Sequence, residues 1–298
     1  WMFIKSYENL RTYILKRKSI TTLIQMEYSA FEEATVPICT FVLRNAPIHY
    51  TGNYLRLSDF KGGMDVQRQK VLEAQETEKC AYRFSARQDN FEKIPGAPVA
   101  YWVSEKMMEA FSEKLLGECG KAQKGLDTCD VGTFVRNWFE IPICEIGFNI
   151  ENNMQTYSHK WFPYAKGGEY RKWYGNVCDV VMWGNDGNIL RNLYDKNGKL
   201  KSRPQNTDDY FKELLTWSAI SSYKPSIRYI NNCVFGGGGS VYKTKIDIKY
   251  CLGFINSKIA LKYFEVISPT LNFEAGHIMN LPLILDLKKE NQIDEYTN

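Results

Sequence analysis

Histidine is scarce in this chain of 298 residues: only His49, His159 and His277 occur. No G-x-S-x-G, H-E-x-x-H or P-loop lysine motif is present, which removes the commonest hydrolase, zinc-protease and nucleotide-binding signatures. No Pro-Asp dipeptide exists to open a P-D…(D/E)-x-K nuclease core. The eight cysteines (Cys39, Cys80, Cys119, Cys129, Cys144, Cys178, Cys233 and Cys251) include no C-x-x-C pair, and no histidine sits beside two of them. That spacing excludes an ordinary zinc site and any metal assignment. Cys39 lies in the apolar run "VPICTFVL", where a small buried hydrophobe is expected. Reduced thiols and a cytoplasmic location are the expectation. No run approaches the roughly 20 apolar residues of a membrane span, so no membrane partner is expected. The chain has no basic-then-apolar leader and starts at Trp1 rather than Met; it reads as a piece of a longer protein.

The composition is that of a folded protein, with 44% hydrophobic and 24% charged residues. Aromatics reach 14%. Net charge is only +4, but nine Lys/Arg and four acids fall between Lys160 and Arg203, leaving the remainder slightly acidic. A basic stretch in a near-neutral chain suits a polyanionic partner or, more plainly, a solvated loop.

Residues 4–18 carry a helical period, with Ile4, Tyr7, Leu10, Ile14 and Leu15 on one face. Strands are expected at 20–28 and 36–44, the second apolar enough for burial on both faces. A charged helix is expected over about 64–79. Ser104 caps a helix running through Met107, Met108, Phe111, Leu115 and Leu116 to Gly117. "VCDVVMW" (177–183) and "SIRYINNCVF" (226–235) read as strands, and "DDYFKELLTWSAI" (208–220) as a helix. One long helix is expected over 249–267, with Leu252, Ile255, Ile259, Tyr263 and Val266 on its buried face and Pro269 after it.

"CVFGGGGS" (233–240) contains F-x-G-x-G, the pattern that cradles S-adenosylmethionine in aminomethyltransferases. Such an enzyme also needs an (N/D)-P-P-(Y/F/W) loop, which is absent, and more βαβ units than the 59 residues after Gly239 supply. The glycines therefore read as a flexible turn, and no catalytic or cofactor-binding residue is assigned here.

The densest candidate surface is "KWFPYAKGGEYRKWYGN" (160–176). Lys160, Lys166, Arg171 and Lys172 suit phosphates. Trp161, Tyr164, Trp173 and Tyr174 suit stacking on bases or sugars. Lys201, Arg203 and Gln205 extend the patch; Lys201 suits phosphate, Arg203 and Gln205 base edges. The same composition also suits a half-buried strand pair whose rings are core.

This stretch, with "VVMWGNDGNIL", "KAQKGLDTCDVGTFVRNWFEI" (121–141), "SRPQN…YFKELLTWSAISS" (202–222) and "LGFINSKIALKYFEVISPTLNFEAGHIMNLPL" (252–283), resembles the recognition region of BREX phage-defence adenine methyltransferases of the PglX type, relatives of fused restriction–methylation enzymes. Similar "NSK" helices occur in type I restriction specificity subunits. "WMFIKSYENLRTYIL" and "VPICTFVLRN" resemble the end of that family's methyltransferase domain. The resemblance implies an α+β (mixed) chain: the C-terminal edge of a Rossmann-like methyltransferase sheet, then an α/β target-recognition domain closed by a long helix. The implied divisions are 1–45 for the sheet edge, 46–100 for a connector, 101–285 for the recognition domain and 286–298 for a tail. The implied partner is double-stranded DNA, with other defence subunits beside it. S-adenosylmethionine belongs to the parent protein, with none in this stretch. The rival reading is a protein-interaction module that docks another defence subunit or a phage inhibitor.

Overall fold

The computed structural model describes residues 1–28, 30–31, 37–47, 50–77, 79–221, 224–268 and 272–283. The expected 286–298 tail and Pro269 lie outside these. The chain forms two compact units, Trp1–Ser112 and Glu113–Asn298. The division therefore falls after Ser112 rather than at 101, and 46–100 is no separate connector, because it supplies half of the first unit's sheet.

Unit 1 contains α1 (Glu8–Arg17), β1 (Ser19–Tyr28), β2 (Pro37–Arg44), β3 (Thr51–Arg56), α2 (Gly63–Glu76), β4 (Arg83–Arg87) and α3 (Glu105–Ala110). Its sheet runs β2-β1-β3-β4. β1 is antiparallel to β2 and parallel to β3, and β3 is antiparallel to β4. Ile14, Leu15, Ile20, Leu23, Tyr54, Phe91 and Tyr101 pack its core. Two expectations are revised. β2 is an edge strand with Phe41 and Val42 exposed, so its apolar composition is not matched by burial on both faces. The buried face of α1 centres on Arg11, Ile14 and Leu15, while Ile4, Tyr7 and Leu10 face out. Arg11 replaces them because its guanidinium donates to three backbone carbonyls, Trp1 O, Ile4 O and Gly96 O. Ser104 does cap α3, accepting from the Met107 amide, but α3 stops at Ala110.

Unit 2 holds α4 (Leu116–Cys119), β5 (Gly120–Gln123), α5 (Val131–Phe134), β6 (Val135–Asn137), β7 (Trp161–Ala165), β8 (Asp179–Met182), α6 (Gly184–Arg191), β9 (Leu214–Thr216), β10 (Arg228–Ile230), β11 (Val234–Phe235), β12 (Val241–Thr244), α7 (Ile248–Ile255), α8 (Lys258–Ile267) and α9 (Ala275–Met279). One sheet runs β10-β9-β12-β5 and is antiparallel; the other runs β11-β7-β8-β6. The mixed α/β class expected from the sequence is the class observed.

The helix expected at 208–220 is instead β9. Leu214, Leu215, Thr216 and Trp217 are all buried, as a strand between two partners requires, and Trp217 Nε1 donates to Phe273 O. A short apolar run has no period that separates the two states. The expected strand 226–235 is two strands in two sheets, β10 and β11, broken where Asn232 adopts φ 50°. The closing helix is also two, because Asn256 ends α7 and Ser257 caps α8 by accepting from the Ala260 amide. Ile259 is consequently exposed.

Burial sorts the cysteines. Cys119, Cys233 and Cys251 are buried, whereas Cys129, Cys144 and Cys178 are exposed. Burial pushes the thiols of Cys233 and Cys251 up to about 12 and about 11. Thiol titration of the folded chain near pH 8 is expected to label Cys129, Cys144 and Cys178 rapidly, and Cys119, Cys233 and Cys251 only on unfolding. Rapid labelling of Cys233 would contradict the packing described.

Candidate nucleic-acid interface

β7 and β8 form an antiparallel pair, Trp161 opposite Met182 and Tyr164 opposite Asp179. The chain between them, 166–178, holds most of the candidate residues. It leaves β7 through Gly167, which has φ 100° and whose missing Cβ would lie 2.7 Å from Gly238 O. Only glycine meets both conditions.

The loop is fixed by hydrogen bonds to its neighbours. Ser218 Oγ donates to Gly168 O at 2.7 Å, and the Arg171 amide donates to Ser226 Oγ at 3.3 Å. Trp173 takes a left-handed φ of 74°, donates to Ile227 O and accepts from the Tyr229 amide. Lys172 Nζ donates to Asn256 O at 2.7 Å. Beneath the loop lies Arg228, 1% exposed, with contacts of 3.4 Å to Arg171 O, Ser226 O and Ser218 Oγ. Burial draws its guanidinium down to about 10, and its Nε has no hydrogen-bond partner. A buried cation without a carboxylate among its described partners gives this loop a positive floor.

The candidate residues divide into three groups. Arg171, Trp173 and Tyr174 project outward together, with Trp173 46% and Tyr174 76% exposed. Trp161 and Tyr164 are buried, each at 5%, and are corrected to core residues. They lie on opposite faces of β7, and both faces of this central strand are covered. The Tyr164 hydroxyl donates to Leu126 O, and burial pushes its phenol pKa up. Lys160 is exposed with its ammonium 5.8 Å from the Trp161 ring centroid, and Lys166 is paired with Asp179 at 2.8 Å. Lys201, Arg203 and Gln205 are exposed on a different segment, whose backbone pairs at Arg203 with Asp127.

The structure also supplies supports that the sequence reading did not single out: Ser218, Ser226, Arg228 and Asn256. Only Asn256 left a signal, within "NSK". Ser218→Ala is expected to lower stability by about 1 kcal/mol through loss of the Gly168 bond, read as a thermal shift.

The glycine run is not a flexible turn. A Cβ on Gly236 would lie 2.3 Å from the Tyr164 hydroxyl, and one on Gly239 2.5 Å from Ala165 O. The Gly236 and Gly237 amides donate to Ala165 O and Leu126 O, which ties the run to the end of β7 and to the chain at Leu126.

No protein-family model matches the chain. Adenine-specific methyltransferase PglX of Lacticaseibacillus casei (strain Zhang) is 36% identical over 296 residues, 95% of this chain and 24% of that protein. Adenine-specific methyltransferase BrxX of Escherichia coli O9:H4 (strain HS) is 33% identical over 308 residues, 99% of this chain and 23% of that protein. The likeness is to adenine-specific methyltransferases. The chain spans about a quarter of the length of these curated relatives. Among solved structures, the type IIG restriction endonuclease BpuSI gives a TM-score of 0.34 at 10% identity, over 99% of this chain and 41% of that one, too slight a superposition to carry over a fold. Among the described residues no helix is long and apolar enough to cross a membrane.

Proposed function

We propose that this chain is the DNA target-recognition part of an adenine-N6 DNA methyltransferase in a phage-defence or restriction–modification system. The observation that carries the reading is the fixed loop 166–178, which presents Arg171, Trp173 and Tyr174 to solvent over a buried guanidinium with no carboxylate among its described partners. The homologues' names supply the reaction class. Duplex DNA is the substrate, and S-adenosylmethionine, held elsewhere in the whole protein, supplies the methyl group. The 1–45 segment, α1 with β1 and β2, is read as the edge of the methyltransferase sheet. The target adenine's amino group lies inside the base stack, so the base must leave the duplex before transfer. This chain's share is to hold the duplex in register. Lys160, Arg171, Lys172 and Lys201 meet phosphates, with Lys166 doing so only by giving up Asp179. Trp173, Tyr174, Arg203 and Gln205 meet bases or sugars.

A segment exchange tests the reading. Residues 113–283 of the full-length protein are replaced by the equivalent segment of the L. casei relative, and N6-methyladenine is mapped across a genome. The methylated sequence is expected to follow the exchanged segment. A methylated sequence that stays with the rest of the protein would overturn the proposal and favour a protein-docking role.

A further inference from the structure

The loop 166–178 has a second side. Between it and α8 lies a groove of about 790 Å³. Lys172, Lys224, Lys258 and Lys262 line it, against the carboxylates of Glu169 and Glu265. Glu265 is already committed to Lys262, at 2.9 Å. Among the described residues, no acidic partner answers the ammonium groups of Lys224 and Lys258.

Lys258 is placed against its own helix. It is the first residue of α8, where the free backbone amides carry partial positive charge, and that turn contains no acidic residue. A cation there costs local stability unless an anion joins it. The neighbouring residues explain the placement. Asn256 joins the end of α7 to Ile227, Ser257 caps α8, and Lys258 is the next side chain, at the groove. Lys172 connects the groove to the loop, since its ammonium donates to Asn256 O from the same wall.

We infer that this groove is a second phosphate track, which takes the DNA backbone flanking the bases met by Trp173 and Tyr174. The inference rests on the DNA-recognition reading above. The charge selects a polyanion, and an open groove that begins at Lys172 continues the proposed interface. Lys224, Lys258 and Lys262 hold the duplex by charge alone, without reading its sequence.

The test uses the full-length protein and a short duplex of arbitrary sequence, with affinity followed across a salt series. Removing three phosphate contacts in K224Q/K258Q/K262Q is expected to lower the log K versus log salt slope by roughly 2 to 3 units, and the arginine triple variant to retain it. All three side chains are exposed, so both variants are expected to stay folded with only small shifts in melting temperature. If the wild type binds with a salt slope that Arg171→Ala flattens while the lysine variant leaves it unchanged, the groove is not a track, although the recognition reading stands. If the wild type shows no salt-dependent duplex binding, both fall together.

Discussion

Gly239→Ala is expected to destabilise unit 2 by about 3 kcal/mol, the upper range for forcing an added methyl into a packed site. The added Cβ would lie 2.5 Å from Ala165 O and 2.8 Å from the Gly167 amide nitrogen. Both obstacles are backbone atoms at the end of β7, where the chain turns into loop 166–178, so neither can rotate away. The matched control lies two residues upstream. Nothing stands within 4 Å of a Cβ on Gly237, and Gly237→Ala is expected to raise stability by about 0.5 kcal/mol through the unfolded chain. Denaturant titration of both variants separates the two accounts of the glycine run. A flexible connector predicts small and equal effects, whereas a close crossing of chains predicts a large loss at Gly239 alone.

Asn256→Ala is expected to cost about 2 to 3 kcal/mol, the range for stranding a buried amide. Asn256 is 4% exposed. Its Oδ1 accepts from the Ile227 amide, and its Nδ2 donates to Ile227 O and Leu252 O. Ile227 O keeps the Trp173 amide after truncation, but the Ile227 amide loses its acceptor in a buried position. Because Ile227 also anchors Trp173, the loss should spread to the loop as faster amide hydrogen exchange at Trp173. Ser257→Ala removes only a helix cap and is expected to cost about 1 kcal/mol. Equal losses in the two variants would mean that Asn256 does no more than end a helix.

Elements with a clean local signal were legible in the sequence: β1, β2, α2, β8 and the Ser104 cap lie where pattern and capping chemistry place them. The misreadings have separate physical origins. Where burial surrounds an element, every position is buried and no hydrophobic period remains, as at Leu214–Trp217. Where a side chain satisfies backbone groups, an apolar run breaks without Gly or Pro, as at Asn256 and Ser257. Arg11 shows the reverse case, a charged residue on the buried face of a helix because three carbonyls receive it.

The candidate surface was legible as a stretch but not residue by residue. Alternating cations and rings in 160–176 locate the loop, and Arg171, Trp173 and Tyr174 are exposed there. Trp161 and Tyr164 share that composition yet belong to a strand covered on both faces, a difference only pairing reveals. The lysines of the groove were invisible because Lys224, Lys258 and Lys262 come from segments far along the chain from the loop.

The central claim is that the exposed face of loop 166–178 binds duplex DNA. Its most direct test is the affinity of the full-length protein for its methylation site over a salt series, wild type against R171A/K172A. The log K versus log salt slope is expected to flatten by roughly 1 to 2 units in the variant. A variant with weakened binding and a flattened slope is the predicted result, and a slope equal to the wild type would remove this loop from the interface.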